Sequence, residues 1–341
     1  MSETLSDIGE FGLIARIDAL LQRAGMQAPE VSLGIGDDCA AFQPRPGVDI
    51  LVTCDVMVEG RHYLPRFISH LDLGRRAMTL NISDIGAMGG VPRYALVSLG
   101  LRTDTAVEDV EAIYLGFVQE LNPFHAVIVG GNLTRSEGAN FIDITLIGEI
   151  AAGTSVRRST ASPGNAILVT GYPGQAAAGL QILLSGRAVH DLKNHPLVRA
   201  YNRPSHRAAV GRAVARSGLA TAMIDTSDGL VGDLGHICDK SGVGALLVQE
   251  NLPVSPALRE EAAHLKEDPI DLVLRDSDDY ELIITCPPEH VKKIHSVITA
   301  LGPVPVSTIG EITHATGDIQ LRSTGGVTRS LSRSGWNHFA R

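Results

Sequence analysis

The stretch Phe141-Ile-Asp-Ile-Thr-Leu-Ile-Gly-Glu-Ile-Ala-Ala-Gly-Thr-Ser155 decides how the chain divides. Over residues 141–150, apolar and polar side chains alternate, which predicts a β-strand with one buried face. The composition then shifts to small residues over 151–155, as is typical of a link between domains. We therefore predict two domains, residues 1–151 and residues 152–341.

The end of this strand has a counterpart in the second half of the chain. Leu146-Ile-Gly-Glu-Ile150 returns as Thr308-Ile-Gly-Glu-Ile312, and both halves place an aspartate directly after an apolar strand. The repeat favours two related α/β halves over two unrelated domains. A length of 341 residues independently suggests two domains.

The rest of the chain shows both helical spacing and strand patterns, which predicts an α/β fold. The 36 glycines and the aromatic content of 4% suit a fold with many glycine turns. The predicted helices cover 8–24, 71–88, 107–121, 175–184, 230–241 and 291–301, and the other predicted strands cover 50–54, 93–101, 126–129, 166–170, 222–224 and 282–285.

Charge and composition narrow the class of protein. A net charge of -9 argues against a nucleic-acid binder, which needs a basic surface, and suits a protein that collects divalent cations. No run approaches the ~18 apolar residues of a membrane span. The segment 1–7 lacks the basic and apolar regions of a signal peptide, so a cytoplasmic protein is expected. The four cysteines form no Cys-x-x-Cys pair, and most are interpreted as small apolar residues in a reducing compartment.

The two common phosphate-binding loops are missing from the sequence. Neither Gly-x-x-x-x-Gly-Lys-Ser/Thr nor a strand-borne Gly-x-Gly-x-x-Gly occurs. The candidate chemistry lies instead in aspartates at strand ends and helix starts, where the loops of an α/β fold converge on ligands. Magnesium prefers oxygen ligands, and neighbouring carboxylates repel each other unless cations neutralise them. These aspartates are Asp37, Asp38, Asp55, Asp84, Asp225, Asp228, Asp278 and Asp279.

Each of these aspartates also has a structural interpretation. A single aspartate in such a loop is more often a turn former or a helix cap than a metal ligand. Asp228, for example, could cap the helix predicted to begin at Leu230. Five such loops in one chain are harder to explain by capping, so the set favours a metal site.

Other candidate ligand-binding features stay open between two interpretations. Gly130–Thr134 could bring the backbone close to a phosphate or form an ordinary tight turn. The turn Gly171–Gly174 could bind an anion at a helix N-terminus, although a plain turn explains it better. Arg157 and Arg158 could bind phosphate or simply be solvated. His62 and Trp336 stand alone, and either can be structural.

Several segments spanning nearly the whole chain occur together, in the same order, in one known family. They are Gly9–Ile14, Gly34–Ala40, Asp55–His62, Asn81–Gly90, Gly130–Thr134, Ile224–Leu230, Asp278–Leu282 and Trp336–Phe339. As a set they resemble the thiamine-monophosphate kinase family of the aminoimidazole-ribonucleotide-synthetase superfamily.

This resemblance implies a fold and a reaction. The fold is a two-domain α/β architecture, in which domain 1–151 binds ATP and Mg²⁺ and pairs with a second copy through its sheet, while domain 152–341 completes the active site. The reaction is direct transfer of a phosphoryl group from ATP to thiamine monophosphate, giving thiamine diphosphate. Because the acceptor phosphate is already an anion, positioning and charge neutralisation by metal would supply the catalysis.

The resemblance also assigns roles to residues. Metal positions fall on Asp38, Thr53, Cys54, Asp55, Asp84, Asn132, Asp225 and Asp228, of which Asp55, Asp84 and Asp225 are taken as catalytic. Nucleotide positions fall on Gly131, Asn132, Arg158 and Ser227, and Tyr114 is expected to face the adenine. Substrate positions fall on His62, Asp278 and Trp336.

The chain departs from the family pattern at three places. Asn132 replaces the aspartate of a Gly-Gly-Asp loop, so one charged ligand is lost. Cys54 stands where threonine is common, which is harmless if that position binds through its carbonyl. Asp276-Ser-Asp-Asp replaces Gly-Gly-Glu-Asp, which makes Asp278 one methylene shorter than the expected glutamate. Two alternatives therefore stay open: another ATP-dependent enzyme of the superfamily acting on a different small phosphate or carboxylate, or a nucleotide-binding paralogue without catalysis.

Overall fold

The computed structural model describes residues 3–35, 39–186 and 192–332, which fall into two compact units. Unit 1 is drawn from Met1–Ile85 and Gly90–Gly153, and unit 2 from Gly86–Gly89 and Thr154–Arg341. Within the described ranges, no helix combines the length and the hydrophobicity that a bilayer span needs.

The described residues of unit 1 form a four-stranded sheet, a two-stranded sheet and three helices. Short 3₁₀ turns cover Pro65–Phe67 and Asn122–Phe124. The elements in chain order are α1 (Leu5–Arg23), β1 (Val31–Leu33), β2 (Ala41–Phe42), β3 (Val48–Val58), α2 (His70–Ala87), β4 (Val91–Leu101), α3 (Val107–Leu121), β5 (Val127–Arg135) and β6 (Phe141–Ala151).

The main sheet of unit 1 has the strand order β3-β6-β4-β5. Strand β6 pairs antiparallel with β3, from Val48 opposite Ala151 to Val58 opposite Phe141, and antiparallel with β4. Strands β4 and β5 are parallel. The alternation predicted for β6 is confirmed, because Ile142, Ile144 and Leu146 are each at most 1% exposed. One face of the sheet is therefore core.

Helices α2 and α3 lie so close together that their contact requires glycine. A Cβ on Gly74 would lie 2.0 Å from the carbonyl oxygen of Ile113, and a Cβ on Gly116 would lie 2.3 Å from that of Leu71. Both distances are far below van der Waals contact, so any larger residue would push the helices apart. Direct backbone packing therefore fixes α2, the helix that carries Asp84.

The loop expected at 130–134 is instead part of strand β5. Gly130, Gly131 and Asn132 pair in parallel register with Leu96, Val97 and Ser98 of β4, after a bulge in the ladder. A Cβ on Gly131 would lie 1.8 Å from the Val97 carbonyl oxygen. Glycine is thus required by the close approach of β4, and the interpretation of this segment as a tight turn was wrong.

Unit 2 contains the remaining elements. Short 3₁₀ turns cover Leu192–Asn194, Gln249–Asn251 and Pro288–His290. The elements are β7 (Ala166–Thr170), α4 (Gln175–Leu184), α5 (Pro196–Asn202), α6 (Ala208–Ser217), β8 (Ala222–Asp225), α7 (Leu230–Ser241), β9 (Gly244–Val248), α8 (Pro256–Leu265), α9 (Pro269–Val273), β10 (Leu282–Cys286), α10 (Val291–Thr299), β11 (Val306–Thr313), β12 (Ile319–Arg322) and β13 (Thr328–Ser330).

The sheet of unit 2 has the order β13-β12-β9-β11-β7-β10-β8 and is antiparallel except where β12 meets β9. Its core includes Leu168, Met223, Ile284, Ile294 and Ile298, each at most 1% exposed. The second copy of the sequence repeat lies in β11, between β9 and β7, and the first lies in β6, between β3 and β4. Both copies are thus interior strands, which accounts for their shared apolar pattern.

Candidate functional site

In unit 1, two predicted ligands on β3 meet a third on α2. Thr53 and Asp55 are two residues apart on the strand and therefore share a face. The Thr53 hydroxyl donates a hydrogen bond of 2.5 Å to Oδ2 of Asp84, and the Asp55 side chain is also hydrogen-bonded to Asp84. The fold therefore brings together three positions that are far apart in sequence.

The electrostatics of this cluster are those of crowded carboxylates. Burial, followed by the charge of Asp84 and the hydrogen bond to it, raises the pKa of Asp55 to about 7, and the charge of Asp143 adds to the effect. Two carboxyl groups in hydrogen-bond contact favour one shared proton or a cation. Thr53, Asp55 and Asp84 offer only oxygen atoms as metal ligands, and oxygen is the ligand atom that Mg²⁺ prefers.

The Cys54 side chain lies on the other face of β3. Its thiol is exposed, donates to Oδ1 of Asp143 at 3.2 Å and accepts from the Thr145 hydroxyl at 3.5 Å. The Thr145 hydrogen bond favours the thiolate, but burial and the carboxylates of Asp143 and Asp55 leave the pKa of Cys54 above its usual value. On the face of β3 that carries Thr53 and Asp55, Cys54 could therefore bind a cation only through its backbone carbonyl.

Asp143 was not among the predicted site residues. It lies on β6 opposite Val56, and its charge reaches both Cys54 and Asp55. The alternation of residues 141–150 contained the signal, because it puts Asp143 on the polar face of the strand.

His62 follows β3 and is held in a defined orientation. The backbone N–H of Val58 donates to Nδ1 of His62 at 3.0 Å. An Nδ1 that accepts a hydrogen bond is unprotonated, so the neutral ring carries its proton on Nε2. His62 is therefore oriented to offer Nε2–H as a donor.

The predicted nucleotide positions of unit 1 lie in different environments. Tyr114 on α3 is only 4% exposed, and its ring meets Phe117 edge-on with centroids 5.2 Å apart. Burial raises the pKa of Tyr114. Asn132 is exposed on β5, and Gly131 beside it is held against β4.

In unit 2, a second acidic cluster surrounds the loop after β8. Asp225 ends the strand and is 1% exposed. The backbone N–H of Asp228 donates to Oδ2 of Asp233 at 2.9 Å. One ligand atom from each of Asp228, Asp233 and His236 lies within 4.8 Å of the others. The helix cap of α7 is Gly229, so the interpretation of Asp228 as that cap was wrong.

Asp233 and His236 were not among the predicted site residues. Asp233 is 2% exposed; burial and then the charge of Asp225 raise its pKa well above the usual value, while Arg158 opposes the shift. Arg158 therefore lies close enough to act on this cluster, and Ser227 is exposed within the loop. The sequence signal for Asp233 is weak, because it lies within a helix whose pattern is defined by its apolar residues.

The third group in unit 2 is the acidic segment 276–281. Asp279 accepts hydrogen bonds from the backbone N–H groups of Gly174 at 2.5 Å and Ala176 at 2.8 Å. The Ser277 hydroxyl accepts from the N–H of Ala177 at 3.0 Å. These contacts occupy the N-terminus of α4, so the anion site suggested for residues 171–174 is already filled by the protein's own side chains. Asp278 is half-buried beside them.

Asp38 and Trp336, together with Asp37, lie outside the described residues. The other predicted positions fall into separate groups. Unit 1 holds Thr53, Cys54, Asp55, His62, Asp84, Tyr114, Gly131 and Asn132, and unit 2 holds Arg158, Asp225, Ser227, Asp228 and Asp278.

The two halves of the chain match two domains of one family. Residues 36–150 match the N-terminal domain of AIR synthase related proteins, and residues 162–321 match their C-terminal domain. Thiamine-monophosphate kinase of Escherichia coli (strain K12) is 36% identical over 338 residues, covering 97% of this chain and 98% of that protein.

Solved structures agree with these matches. The crystal structure of thiamine-monophosphate kinase from Stenotrophomonas maltophilia K279a is similar with a TM-score of 0.80 at 32% identity, covering 93% of this chain and 97% of that one. AaThiL complexed with AMPPCP and TMP is similar with a TM-score of 0.75 at 31% identity, covering 98% of each chain.

Proposed function

The chain belongs to the thiamine-monophosphate kinase family of AIR synthase related proteins, and on that premise we propose that it transfers a phosphoryl group from ATP to thiamine monophosphate, giving thiamine diphosphate. The observation that carries the proposal is similarity over nearly the full length to a relative complexed with AMPPCP and TMP. Both the nucleotide and the acceptor are represented in that complex.

We propose Mg²⁺ as the cation of the reaction. Its ligands in unit 1 would be Thr53, Asp55 and Asp84, and in unit 2 Asp225 and Asp228. The support is the pair of hydrogen-bonded carboxylates in unit 1, an arrangement that a divalent cation neutralises. When bound, Mg²⁺ would neutralise the charge of the phosphates. Asp38, Asn132 and the carbonyl of Cys54 complete the proposed set.

The chain's own side chains would position the two substrates. His62 would donate Nε2–H to a phosphate oxygen, because its Nδ1 already accepts from Val58. In unit 2, Arg158 and Ser227 would bind phosphate of the nucleotide. In unit 1, Gly131 and Asn132 would contribute to nucleotide binding, and Tyr114 would face the adenine. Asp278 and Trp336 would contact thiamine, whose cationic thiazolium ring and amino group suit a carboxylate.

We also propose that unit 1 pairs with unit 1 of a second copy. Strand β3 is an edge strand, and Ile50, Val52 and Val56 on one face are 42%, 64% and 44% exposed. An exposed apolar row on an edge strand is a surface that proteins normally cover. The cytoplasmic location expected from the sequence stays a prediction.

The deciding experiment is a coupled assay for thiamine diphosphate with ATP, Mg²⁺ and thiamine monophosphate, with and without a chelator. Product that disappears with the chelator supports both the reaction and the metal. A folded protein that binds ATP and forms no product would contradict the proposed reaction.

The second candidate is phosphorylation of a different acceptor, and the sequence around Asp278 favours it. This carboxylate is one methylene shorter than the family's glutamate, which changes the reach of the substrate pocket. A panel of small phosphates and carboxylates, each tested for ADP release, separates the candidates. Turnover of another acceptor alongside none of thiamine monophosphate would select the second.

A further inference from the structure

The segment 276–281 is fixed by its own acidic side chains, and Glu281 makes the strongest of these contacts. Both carboxylate oxygens of Glu281 accept from Arg207: Nε donates to Oε2 at 2.6 Å and Nη2 to Oε1 at 2.6 Å. The Thr170 hydroxyl donates to Oε2 as well, at 2.6 Å. Glu281 is 5% exposed and the Arg207 side chain is 20% exposed, so this is a bidentate ion pair with a buried carboxylate, a partly buried guanidinium and a third donor.

The surroundings of Glu281 are shaped to hold that carboxylate. Gly171 has a φ of +59°, and a Cβ there would lie 1.8 Å from Oε1 of Glu281. Only glycine therefore leaves room for the carboxylate, and its backbone conformation is one that glycine adopts readily. The Thr170 hydroxyl also accepts from the N–H of Leu282 at 2.8 Å, which locks strand β7 to the same segment.

The same segment is joined to the aspartate loop after β8 through Thr226. Thr226 is fully buried and lies between the proposed metal ligands Asp225 and Asp228. Its N–H donates to the Glu281 carbonyl at 2.8 Å, and its carbonyl accepts from the N–H of Tyr280 at 2.8 Å. Its hydroxyl accepts from the N–H of Glu281 at 3.0 Å. A movement of Glu281 would thus move both loops.

Tyr280 shows that this arrangement is imposed by its surroundings. Its φ is +55°, a left-handed conformation that a bulky residue adopts only when neighbouring contacts force it. The contacts on either side of it are those of Asp279 with α4 and of Glu281 with Arg207. The residue that precedes these anchors is Asp278.

We propose that Glu281, paired with Arg207, is a positioning residue that sets the places of Asp278 and of the loop containing Asp225 and Asp228. The inference rests on the proposed function for the roles of those aspartates. Glu281 and Arg207 do not themselves contact the substrates. Their effect is transmitted through the backbone of segment 276–281 and through Thr226.

The test is a double-mutant cycle with Glu281→Gln, Arg207→Gln and the double variant. Arg207→Gln leaves the buried Glu281 carboxylate without its ion-pair partner, and Glu281→Gln leaves the partly buried Arg207 guanidinium without its own. We expect a KM for thiamine monophosphate raised about tenfold or more in each, since an unanchored loop misplaces a ligand group. The double variant should be no worse than the poorer single. Arg207→Lys keeps the positive charge and loses the two parallel hydrogen bonds of the guanidinium. If Glu281→Gln does not fold, the KM of Arg207→Lys tests the same prediction.

Ile298→Ala provides the matched control. It truncates a core side chain of unit 2 on α10, so it should lower the melting temperature and leave KM unchanged. If Glu281→Gln and Arg207→Gln lower the melting temperature as this control does and leave KM within twofold, the pair is only structural and the proposal is wrong. Additive effects on KM in the double variant would overturn it too.

Hydrogen exchange separates this inference from the proposed function. In Glu281→Gln, amides over 225–229 and 276–281 should exchange faster than in the wild type, whereas in Ile298→Ala they should not. Unchanged exchange in both loops would overturn the positioning role. If the wild type forms no thiamine diphosphate, the proposed function fails while the exchange measurement still decides the positioning.

Discussion

The hydroxyl of Thr53 on β3 donates a 2.5 Å hydrogen bond to Asp84 on α2. This bond joins the edge strand of unit 1 to the helix that glycine contacts hold against α3. It also places Asp84 beside Asp55, whose pKa is raised to about 7 by burial and by that neighbour. Carboxylates crowded in this way repel each other, and a cation stabilises them.

Asp84→Asn should lower kcat by about two to three orders of magnitude and leave the melting temperature near the wild-type value. The substitution removes one of two crowded charges, so the fold loses repulsion together with a hydrogen-bond acceptor, and the two effects offset each other. A loss of about 10²–10³ in kcat is the scale for removing a group that stabilises transferring charge. Steady-state kinetics and thermal unfolding measure both quantities.

Asp104→Asn is the control for the loss of one negative charge, because Asp104 is 82% exposed on its side chain and should give wild-type kinetics. Retained activity of Asp84→Asn at saturating magnesium would remove Asp84 from the proposed site.

Gly131→Ala should destabilise the protein by about 1–3 kcal/mol, as overpacking does. The added Cβ would lie 1.8 Å from the Val97 carbonyl oxygen, and neither strand of the β4–β5 pair can retreat without breaking the ladder. Chemical denaturation measures the change in the free energy of unfolding.

Gly138→Ala is the matched control, since a Cβ at Gly138 meets nothing within 4 Å. It should change the free energy of unfolding by less than about 0.5 kcal/mol. Equal stability of the two variants would contradict the close strand approach described for Gly131.

The stability of the protein should depend on the titration of Asp279. Burial raises the folded-state pKa of Asp279 to about 7, although the N–H groups of Ala176 and Gly174 oppose the shift. Between its ordinary value of 3.8 and about 7, the unfolded chain releases a proton that the folded chain keeps. The contribution is therefore fully present below pH 3.8 and is lost as the pH rises through 7.

Asp279→Asn removes this titration while keeping one acceptor for α4. The difference in the free energy of unfolding between wild type and variant should fall between pH 4 and 7, by up to about 4 kcal/mol for a shift of that size. Urea unfolding at a series of pH values measures it. A difference that does not change with pH would show that Asp279 has an ordinary pKa.

Val52→Glu should convert the proposed dimer to monomers. Val52 is 64% exposed at the middle of the apolar row on β3, and a buried, unpaired carboxylate in an interface is strongly unfavourable. Light scattering coupled to size-exclusion chromatography measures the molecular mass. Val327→Glu, at a residue 69% exposed in unit 2, should leave the mass unchanged, and a wild-type monomer would contradict the pairing.

Apolar spacing in the sequence predicted several helices and strands with their observed ends. The helices 107–121 and 175–184 and the strand 166–170 begin and end where their spacing indicates, because apolar periodicity and glycine or proline at the ends act within a few residues. The strands β12 and β13 and the helix α9 have only four, three and five residues, so their patterns are too brief to stand out.

Local sequence patterns did not predict the full length of strand β5. From sequence, the strand is predicted to end at Val129, and Gly130–Thr134 is open between a phosphate-binding loop and a tight turn, because glycine and asparagine commonly form turns. In the structure, glycine is required because strand β4 approaches closely, and Gly131 pairs there with Val97, a residue far away in the sequence. The cause is tertiary contact, which overrides local preference.

The sequence by itself determined the α/β class, the family and the aspartates as candidate ligands, because residue types and their spacing are local properties of the chain. The predicted placement of these aspartates at strand ends and helix starts is confirmed for Asp225 and wrong for Asp55, which lies inside β3, and for Asp84, which lies inside α2. The tertiary structure alone decided which side chains of different elements meet and which are already engaged. Thr53 and Asp55 lie against Asp84, whereas the Cys54 side chain contacts Asp143 on the other face. Asp233 and His236 lie close to Asp228. The Glu281 carboxylate is already paired with Arg207. Distance and burial arise only when strands and helices pack, so these relationships have no signature in the linear chain.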